Sequence, residues 1–227
     1  FCKMSTLYIV ATPIGNLEDV SKRALRILSE VDLILCEDTR TTKKLLDHYE
    51  IKTLTLSYHQ HSKFKKVEQI IQLLKEGKNL ALVSDAGTPG ISDPGNKLIN
   101  KIMEVRLPLL LIVSIPGPSA MTAAASVSGF PMDRFVFLGF PPAKKKRKKF
   151  FEEVVSSKHP VIFYESPYRI IKSLTELSMI NDRLSIVVCR ELTKKFETIY
   201  RGTLKEVLER LKKEEIRGEF VITVKNK

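Results

Sequence analysis

Unbroken apolar runs alternate with amphipathic helical segments along the first half of the chain. The helical segments carry apolar residues at three- and four-residue spacing with charges opposite them, as in residues 20–31 and 67–74. The apolar runs lack polar alternation and comprise residues 7–10, 33–36, 54–56, 80–83 and 109–113. Strands buried on both faces have this pattern, so the first half predicts an α/β domain with a parallel sheet.

From about residue 130 onward, the segments of the second half are richer in aromatic residues and more strand-like. Its candidate strands are residues 135–140, 161–164, 184–189, 198–201 and 220–224. The preceding segment, residues 120–127, is small and apolar on all sides and predicts a helix packed between layers. A last amphipathic helix has one apolar face, formed by Leu204, Val207, Leu208 and Leu211. We predict a second α/β domain with a mixed sheet, the two domains spanning residues 1–116 and 117–227.

The most constrained segment is residues 84–95, directly behind the fourth apolar run. It contains three glycines, two prolines and two aspartates. Glycine lets backbone amides approach a ligand, proline fixes a turn, and α/β proteins bind ligands at the carboxyl ends of parallel strands. The phosphate-binding loop pattern does not fit, because Asn96 stands where its lysine belongs. The segment predicts a ligand loop, with an ordinary glycine-rich turn as the alternative.

The chain is strongly basic, with 38 lysines and arginines against 26 aspartates and glutamates, a net charge of +12. Such an excess favours polyanionic partners, nucleic acid among them. Part of it is concentrated in a cationic run of six residues, which are Lys144, Lys145, Lys146, Arg147, Lys148 and Lys149. The run predicts an RNA-binding segment, with a solvated loop or helix start as the alternative.

The sequence does not indicate a membrane, exported, disulfide-stabilised or metal-binding protein. The longest apolar stretch, around residues 107–113, contains Pro108 and is far shorter than a bilayer span, and no export signal is visible. Three cysteines lie far apart without a Cys-x-x-Cys pair, so neither a disulfide framework nor a zinc site is indicated. His59 and His61 have no third ligand near them in sequence, so no metal is expected. These features favour a cytoplasmic protein without a membrane partner.

Six short strings follow one another along nearly the whole chain. They are residues 7–17 (LYIVATPIGNL), 37–40 (EDTR), 84–95 (SDAGTPGISDPG), 116–120 (PGPSA), 164–166 (YES) with Arg169, and 190–194 (RELTK) with Glu197. As an ordered set they resemble the tetrapyrrole-methylase family, and specifically its ribosomal RNA branch. Full-length members of that branch generally continue into a small helical C-terminal region, whereas this chain stops at Lys227.

The resemblance implies a two-domain, tetrapyrrole-methylase-like α/β methyltransferase that binds S-adenosylmethionine in the cleft between its domains, usually as a homodimer. It also implies a substrate, small-subunit ribosomal RNA or the assembled small subunit, methylated on the 2′-oxygen of a cytidine. Matched motif to motif, the expected cofactor-binding residues are Pro13, Gly15, Asp85, Gly87, Thr88, Pro89, Ser119, Ala120 and Tyr164.

Methylation of a ribose hydroxyl calls for a group that accepts its proton, because the hydroxyl is a poor nucleophile at neutral pH. We predict Glu165 and Glu191 as catalytic residues near the chemistry and Arg40 as an RNA clamp, since each follows a predicted strand end. An ion pair or a helix cap is the alternative for each of these charges. Other carboxylates open for the same role are Glu37, Asp38, Asp93 and Glu197.

Two further functions remain open at this point. One is a small-molecule methyltransferase of the tetrapyrrole type, and the other is a catalytically inactive RNA-binding or ribosome-assembly protein. The +12 charge and the cationic run favour an RNA substrate over a small molecule. The retained ligand loop at residues 84–95 favours an enzyme over an inactive binding protein.

Overall fold

The computed structural model of the chain describes residues 4–59, 64–93 and 95–226. It contains two compact units, Phe1–Ser119 and Ala120–Lys227, here called unit 1 and unit 2. Each unit has its own sheet. The prediction of two α/β domains, one with a parallel sheet and one with a mixed sheet, is confirmed. No helix in the described part of the chain is both long enough and apolar enough to cross a membrane.

Unit 1 is built on a five-stranded parallel sheet of order β3-β2-β4-β1-β5. The strands are β1 (Ser5–Val10), β2 (Leu33–Cys36), β3 (Thr55–Ser57), β4 (Leu80–Leu82) and β5 (Leu110–Ile115). On β1, Leu7 lies opposite Leu80 on one side and Ile112 on the other. Leu7 and Leu80 are fully buried, as expected for strands without polar alternation.

Helices cover both faces of this sheet. They are α1 (Lys22–Glu30), α2 (Thr39–His48), α3 (Phe64–Lys75) and α4 (Asn96–Val105). Side chains cap two of them: Ser21 accepts from the Ala24 amide, and Asp38 accepts from the Arg40 amide. Two separate apolar clusters result, one around α1 and α2 and the other around α3 and α4.

The parallel arrangement decides where polar loops meet. Because β1, β2 and β4 run in one direction, the segments that follow them leave the sheet at the same edge. These segments are residues 11–15, residues 37–38 and the ligand loop that begins at Ser84. A ligand site at this edge is the general rule for open parallel sheets.

Unit 2 contains a second five-stranded sheet, of order β6-β7-β10-β8-β9. Its elements in chain order are α5 (Ala120–Ser128), β6 (Val136–Phe137), α6 (Arg147–Ser156), β7 (Val161–Glu165), α7 (Ile170–Ser178), β8 (Ser185–Arg190), β9 (Thr198–Thr203), α8 (Leu204–Leu211) and β10 (Phe220–Lys225). Strands β6 and β7 are parallel, whereas β10 runs antiparallel to β7 and β8, and β9 antiparallel to β8.

One apolar cluster joins α6, α7 and α8 to this sheet. The predicted face of α8 is buried in it, and Thr203 and Glu206 close a capping box at the start of the helix. The first predicted strand of the second half is shorter than expected, two residues instead of six. Gly139, at φ 64°, and the two prolines after Phe140 explain the early end, because that backbone no longer follows a strand.

Candidate active site

The ligand loop of unit 1 is fixed to the segment after β1 by a short antiparallel bridge. Thr12 donates its amide to the Gly87 carbonyl at 2.9 Å, and the Gly87 amide donates to the Thr12 carbonyl at 3.0 Å. Gly87 has φ +79°, so glycine is favoured by backbone conformation, although a Cβ there would make only ordinary contact with Ile14 Cγ2 at 3.4 Å. Thr88 extends the connection, since its hydroxyl donates to the Pro118 carbonyl at 3.2 Å.

These contacts bring together the segments that carry the unit 1 members of the predicted cofactor set. A Cβ at Gly117 would lie 3.1 Å from the Ala11 Cβ, so the segment after β5 also packs closely against the end of β1. Asp85 and Gly15 are exposed. The set comprises Pro13, Gly15, Asp85, Gly87, Thr88, Pro89 and Ser119, and the two remaining predictions, Ala120 and Tyr164, belong to unit 2.

Three carboxyl groups meet beside the ligand loop. Burial raises the pKa of Asp93 to about 6, and the neighbouring charges of Glu37 and Asp85 add to this effect. Burial and the charge of Asp85 also raise the pKa of Glu37. Asp85 itself accepts a hydrogen bond from the Asp38 amide at 3.0 Å. The group concentrates negative charge where a cationic ligand would be favoured, and it contains a carboxyl that titrates near neutral pH.

Sequence reasoning included Glu37 and Asp93 among the open carboxylates but ranked others above them. The distinguishing property is partial burial of both groups next to each other, which raises their pKa values. Their positions could have indicated that the two groups lie close together, because Glu37 follows β2 and Asp93 lies in the loop after β4, the strand paired with β2.

Arg40, the predicted RNA clamp, is a largely exposed residue in the first turn of α2. Its guanidinium contacts the Asp38 carboxylate at 2.7 Å, which lowers the pKa of Asp38 to about 2. Asp38 also caps the helix through the Arg40 amide. The ion pair orients Arg40 but leaves most of its side chain in solvent.

Glu165, predicted as a catalytic residue, is completely buried in unit 2. It accepts hydrogen bonds from the Ser166 amide at 2.8 Å and the Ser173 hydroxyl at 2.5 Å. Two arginines neutralise it, with Arg169 at 2.9 Å and Arg147 at 3.8 Å. A catalytic role of Glu165 stays a prediction, and these buried partners do not favour it as a proton acceptor. Its geometry is that of a positioning residue.

Glu191, the other predicted catalytic carboxylate, is held in the loop after β8. It accepts hydrogen bonds from Lys194 Nζ and from the Glu219 amide, each at 2.9 Å. Burial alone would raise the pKa of Glu191, but the Lys194 and Glu219 hydrogen bonds outweigh it and the net pKa is lowered. A lowered pKa makes Glu191 a weaker base than Asp93.

The cationic run divides in the structure into exposed lysines and one buried arginine. Arg147, only 6% exposed, donates to Glu176 at 2.5 Å, to Ser173 at 2.6 Å and to the Pro142 carbonyl at 3.1 Å. An RNA contact by Arg147 stays a prediction, and the structure does not favour it because the donors of Arg147 are directed into the protein. The exposed members, at and before the first turn of α6, are Lys144, Lys145, Lys146, Lys148 and Lys149.

Tyr164 lies at the end of β7, half-buried between two aromatic rings. Its ring centroid is 5.0 Å from that of Phe137 and 5.4 Å from that of Phe140, both in edge-on geometry. Among the residues that the structure describes, no cluster of three or more His, Cys, Asp or Glu side chains could hold a metal ion. His61, one of the two histidines considered above, lies outside the described residues.

The chain is similar in sequence to a known protein family and to several named proteins. The sequence profile of the family described as Tetrapyrrole (Corrin/Porphyrin) Methylases matches residues 6–208. A protein of Halalkalibacterium halodurans named ribosomal RNA small subunit methyltransferase I is 46% identical over 96% of this chain and 75% of its own length. A protein of the same name from Thermotoga maritima is 42% identical over 99% of this chain and 100% of its own length.

Solved structures with the same fold are more distant in sequence. Cobalt precorrin-4 methyltransferase, a cobalamin biosynthetic enzyme, has a TM-score of 0.71 at 18% identity and covers 97% of this chain and 94% of its own. Diphthine synthase has a TM-score of 0.75 at 13% identity, covering 97% of this chain and 89% of its own. At such identities the likeness concerns the fold alone.

Proposed function

Because the chain belongs to the tetrapyrrole methylase family, we propose that it is an S-adenosylmethionine-dependent methyltransferase of small-subunit ribosomal RNA, acting on the 2′-oxygen of a cytidine. The observation that carries the proposal is 42–46% identity, over nearly the full chain, to proteins named ribosomal RNA small subunit methyltransferase I. The distant corrin methyltransferase shares the fold only, and no feature of the described residues favours a tetrapyrrole substrate over RNA.

The residues of unit 1 fit the cofactor. Gly87 gives the ligand loop a positive-φ backbone conformation that few other residues adopt, and Asp85 is exposed and able to accept hydrogen bonds from hydroxyl groups. The carboxyl groups of Glu37, Asp85 and Asp93 suit a ligand that carries sulfonium and ammonium charges. The residues of unit 1 that we assign to binding are Pro13, Gly15, Asp85, Gly87, Thr88, Pro89 and Ser119.

When bound, S-adenosylmethionine supplies an electrophilic methyl group. The protein holds the ribose hydroxyl in line with that group, and such positioning can contribute on the order of 7–11 kcal/mol. Asp93 accepts the proton of the hydroxyl, because a carboxylate with a pKa of about 6 is ionised at neutral pH yet more basic than an ordinary aspartate. Glu165 acts as a positioning residue, fixing the loop after β7 through Ser166 and Arg169.

RNA binding is assigned to the exposed lysines of the cationic run and to Arg40. Lys148 and Lys149 occupy the first turn of α6, where the positive end of the helix dipole disfavours cations. Lysines in an unfavourable position contribute little to folding, which supports a role in binding phosphates. Arg40 is exposed and oriented by Asp38 for the same kind of contact.

We assign the enzyme to the cytoplasm, where ribosomal RNA is found, and to a homodimer. The dimer proposal is supported by β5, an edge strand of unit 1 with unusually exposed apolar residues. Leu109, just before the strand, and Leu111 and Ile112 within it are all exposed. An apolar edge of this kind pairs readily with another chain.

The proposal is tested by incubating the protein with S-adenosylmethionine labelled in its methyl group. Three acceptors are compared: assembled small ribosomal subunits lacking the modification, the naked ribosomal RNA, and a tetrapyrrole. Label in the RNA of either of the first two supports the proposal. Label in the tetrapyrrole alone, or cofactor binding without transfer to any acceptor, would overturn it.

A further inference from the structure

One edge of the unit 2 sheet gathers three loops. Strands β6, β7 and β8 point in the same direction, so their carboxyl ends lie at the same edge as the start of β10. The strand register shows this directly, because Phe220 at the start of β10 lies opposite Glu165 on β7 and Arg190 on β8. The loops after β7 and β8 are therefore two strand spacings apart, about 10 Å.

Each of these loops exposes an aromatic side chain. Phe140 follows β6 and is 51% exposed, Tyr168 follows β7 and is 96% exposed, and Phe196 follows β8 and is 70% exposed. Rings as exposed as those of Tyr168 and Phe196 bury little apolar surface and therefore contribute little to folding. Three of them at one edge form a patch that we call the aromatic edge.

The aromatic edge rests on loops that are held in place. Arg169 joins two of them, since it pairs with Glu165 and donates to the Pro141 carbonyl at 3.2 Å. The ring of Phe140 packs edge-on against Tyr164. The loop after β8 is fixed by Lys194, which bonds Glu191 at 2.9 Å and Glu219 at 2.8 Å. Rings on preorganised loops lose little conformational freedom when a ligand stacks on them.

Lysines accompany two of the three aromatic loops. Lys195 Nζ lies 5.7 Å from the centre of the Phe196 ring. Lys144 and Lys145 stand a few residues after Phe140 and are exposed. Aromatic rings interleaved with lysines match a single-stranded nucleic acid, in which bases stack on rings and phosphates contact cations. An apolar protein partner would gain nothing from the lysines.

We propose that the aromatic edge, formed by Phe140, Tyr168 and Phe196, is a stacking platform for unpaired nucleotides of the RNA substrate. This inference rests on the proposed function for the identity of the nucleic acid. The exposed lysines of the cationic run attract any RNA through its phosphates, whereas the rings select nucleotides whose bases are free to stack. The platform thus gives the protein a preference for unpaired over duplex RNA.

The test uses the whole chain and two RNA probes of equal length, an unstructured oligocytidine and a duplex. Tyr168→Ala and Phe196→Ala are expected to weaken oligocytidine binding roughly fivefold to a hundredfold each. Tyr168→Phe keeps the ring and is the matched control, expected to bind within about twofold of the parent. Met179→Ala removes an exposed apolar side chain beyond the far end of α7 and controls for general surface effects.

Duplex affinity and the dependence of oligocytidine affinity on salt concentration are expected to stay unchanged in the alanine variants, because no charge is removed. Equal losses for both probes, or no loss for either, would overturn the platform. Methyl transfer by the parent protein is measured in parallel. A selective loss of oligocytidine binding together with failure of the parent to methylate RNA would support the platform and refute the proposed function.

Discussion

Arg147 and Glu165 form a buried ion pair inside unit 2, with the guanidinium NH2 3.8 Å from the carboxylate Oε2. The Ser173 hydroxyl connects them, accepting from Arg147 at 2.6 Å and donating to Glu165 at 2.5 Å. Arg147 belongs to the cationic run, and Glu165 belongs to the string at residues 164–166. Both are thereby committed to the structure of unit 2, and neither is free to contact a substrate directly.

Glu165→Gln is expected to destabilise the protein by about 1.5–3 kcal/mol, because it removes the buried charge that pairs with Arg169 and accepts from Ser173, whereas Arg147 keeps Glu176 as a partner. Denaturant unfolding of the variant and the parent measures the difference. Lys148→Gln, an exposed neighbour of Arg147, is the control and is expected to change stability by no more than about 0.5 kcal/mol. A Glu165→Gln variant with parental stability but no activity would instead indicate direct catalysis.

Asp93→Asn is expected to stabilise the protein at neutral pH. The pKa of Asp93 is raised from 3.8 to about 6 in the folded state, so the folded protein holds this proton more tightly than the unfolded chain. Stability is therefore lost as the pH rises from about 4 through 6. The shift corresponds to at most about 3 kcal/mol, and solvent screening reduces this to about 1–2 kcal/mol.

Melting temperatures of the Asp93→Asn variant and the parent, measured from pH 4 to 8 at about unit steps, test this sign. The advantage of the variant is expected above pH 6 and should vanish near pH 4. Asp133→Asn, in the exposed loop after α5, serves as the control. The same Asp93→Asn variant is expected to lose methyl transfer by about 10²–10⁴-fold even when S-adenosylmethionine is saturating, and undiminished transfer would exclude Asp93 as the proton acceptor.

Gly87→Ala is expected to weaken S-adenosylmethionine binding at least tenfold, an estimate of about 1.4 kcal/mol or more. The backbone at φ +79° is strained for alanine, so the variant is expected to shift the loop that we assign to the cofactor. Gly129→Ala is a matched control, because Gly129 has φ +73° but nothing within 4 Å of the added Cβ. Titration calorimetry should show normal cofactor affinity for the control, and equal losses in both variants would point to a general effect on folding.

Replacing Lys144, Lys145 and Lys148 by glutamine is expected to weaken RNA binding and to flatten its salt dependence. Each lost phosphate contact reduces the slope of log affinity against log salt by about 0.7 for single-stranded RNA. Affinity measured at several salt concentrations gives the slope directly. Lys22→Gln in α1 is the control, being exposed on unit 1, and a triple variant with the parental slope would limit the lysines to solubility.

Much of the fold follows from local pattern. Strands buried on both faces leave unbroken apolar runs, so β2 and β4 were predictable to within one residue and β1 to within two. The ligand loop was predictable because Gly87 needs a positive φ that few other residues tolerate. The short β6 shows the limit of this reasoning, since an aromatic run predicts a strand even where the backbone bends away at Gly139.

Sequence pattern did not predict in the same way which charged residues are buried in the fold and which have shifted pKa values. Arg147 and its lysine neighbours are equivalent in sequence, and only the tertiary contacts with Glu176 and Ser173 bury the arginine. Similarly, Asp93 differs from Glu165 in its surroundings: burial and, to a lesser degree, nearby carboxylates raise the pKa of Asp93, whereas two arginines pair with Glu165. Desolvation and partner choice are properties of the folded chain.

The central claim, transfer of a methyl group to a ribose 2′-oxygen, is tested most directly by alkaline hydrolysis of the labelled RNA product. A 2′-O-methyl group removes the hydroxyl that attacks the adjacent phosphodiester, so that linkage resists alkali. The account predicts that all label is recovered in an alkali-resistant dinucleotide whose 5′ nucleoside is a methylated cytidine. Label recovered in ordinary mononucleotides would mean methylation of a base and would contradict the account.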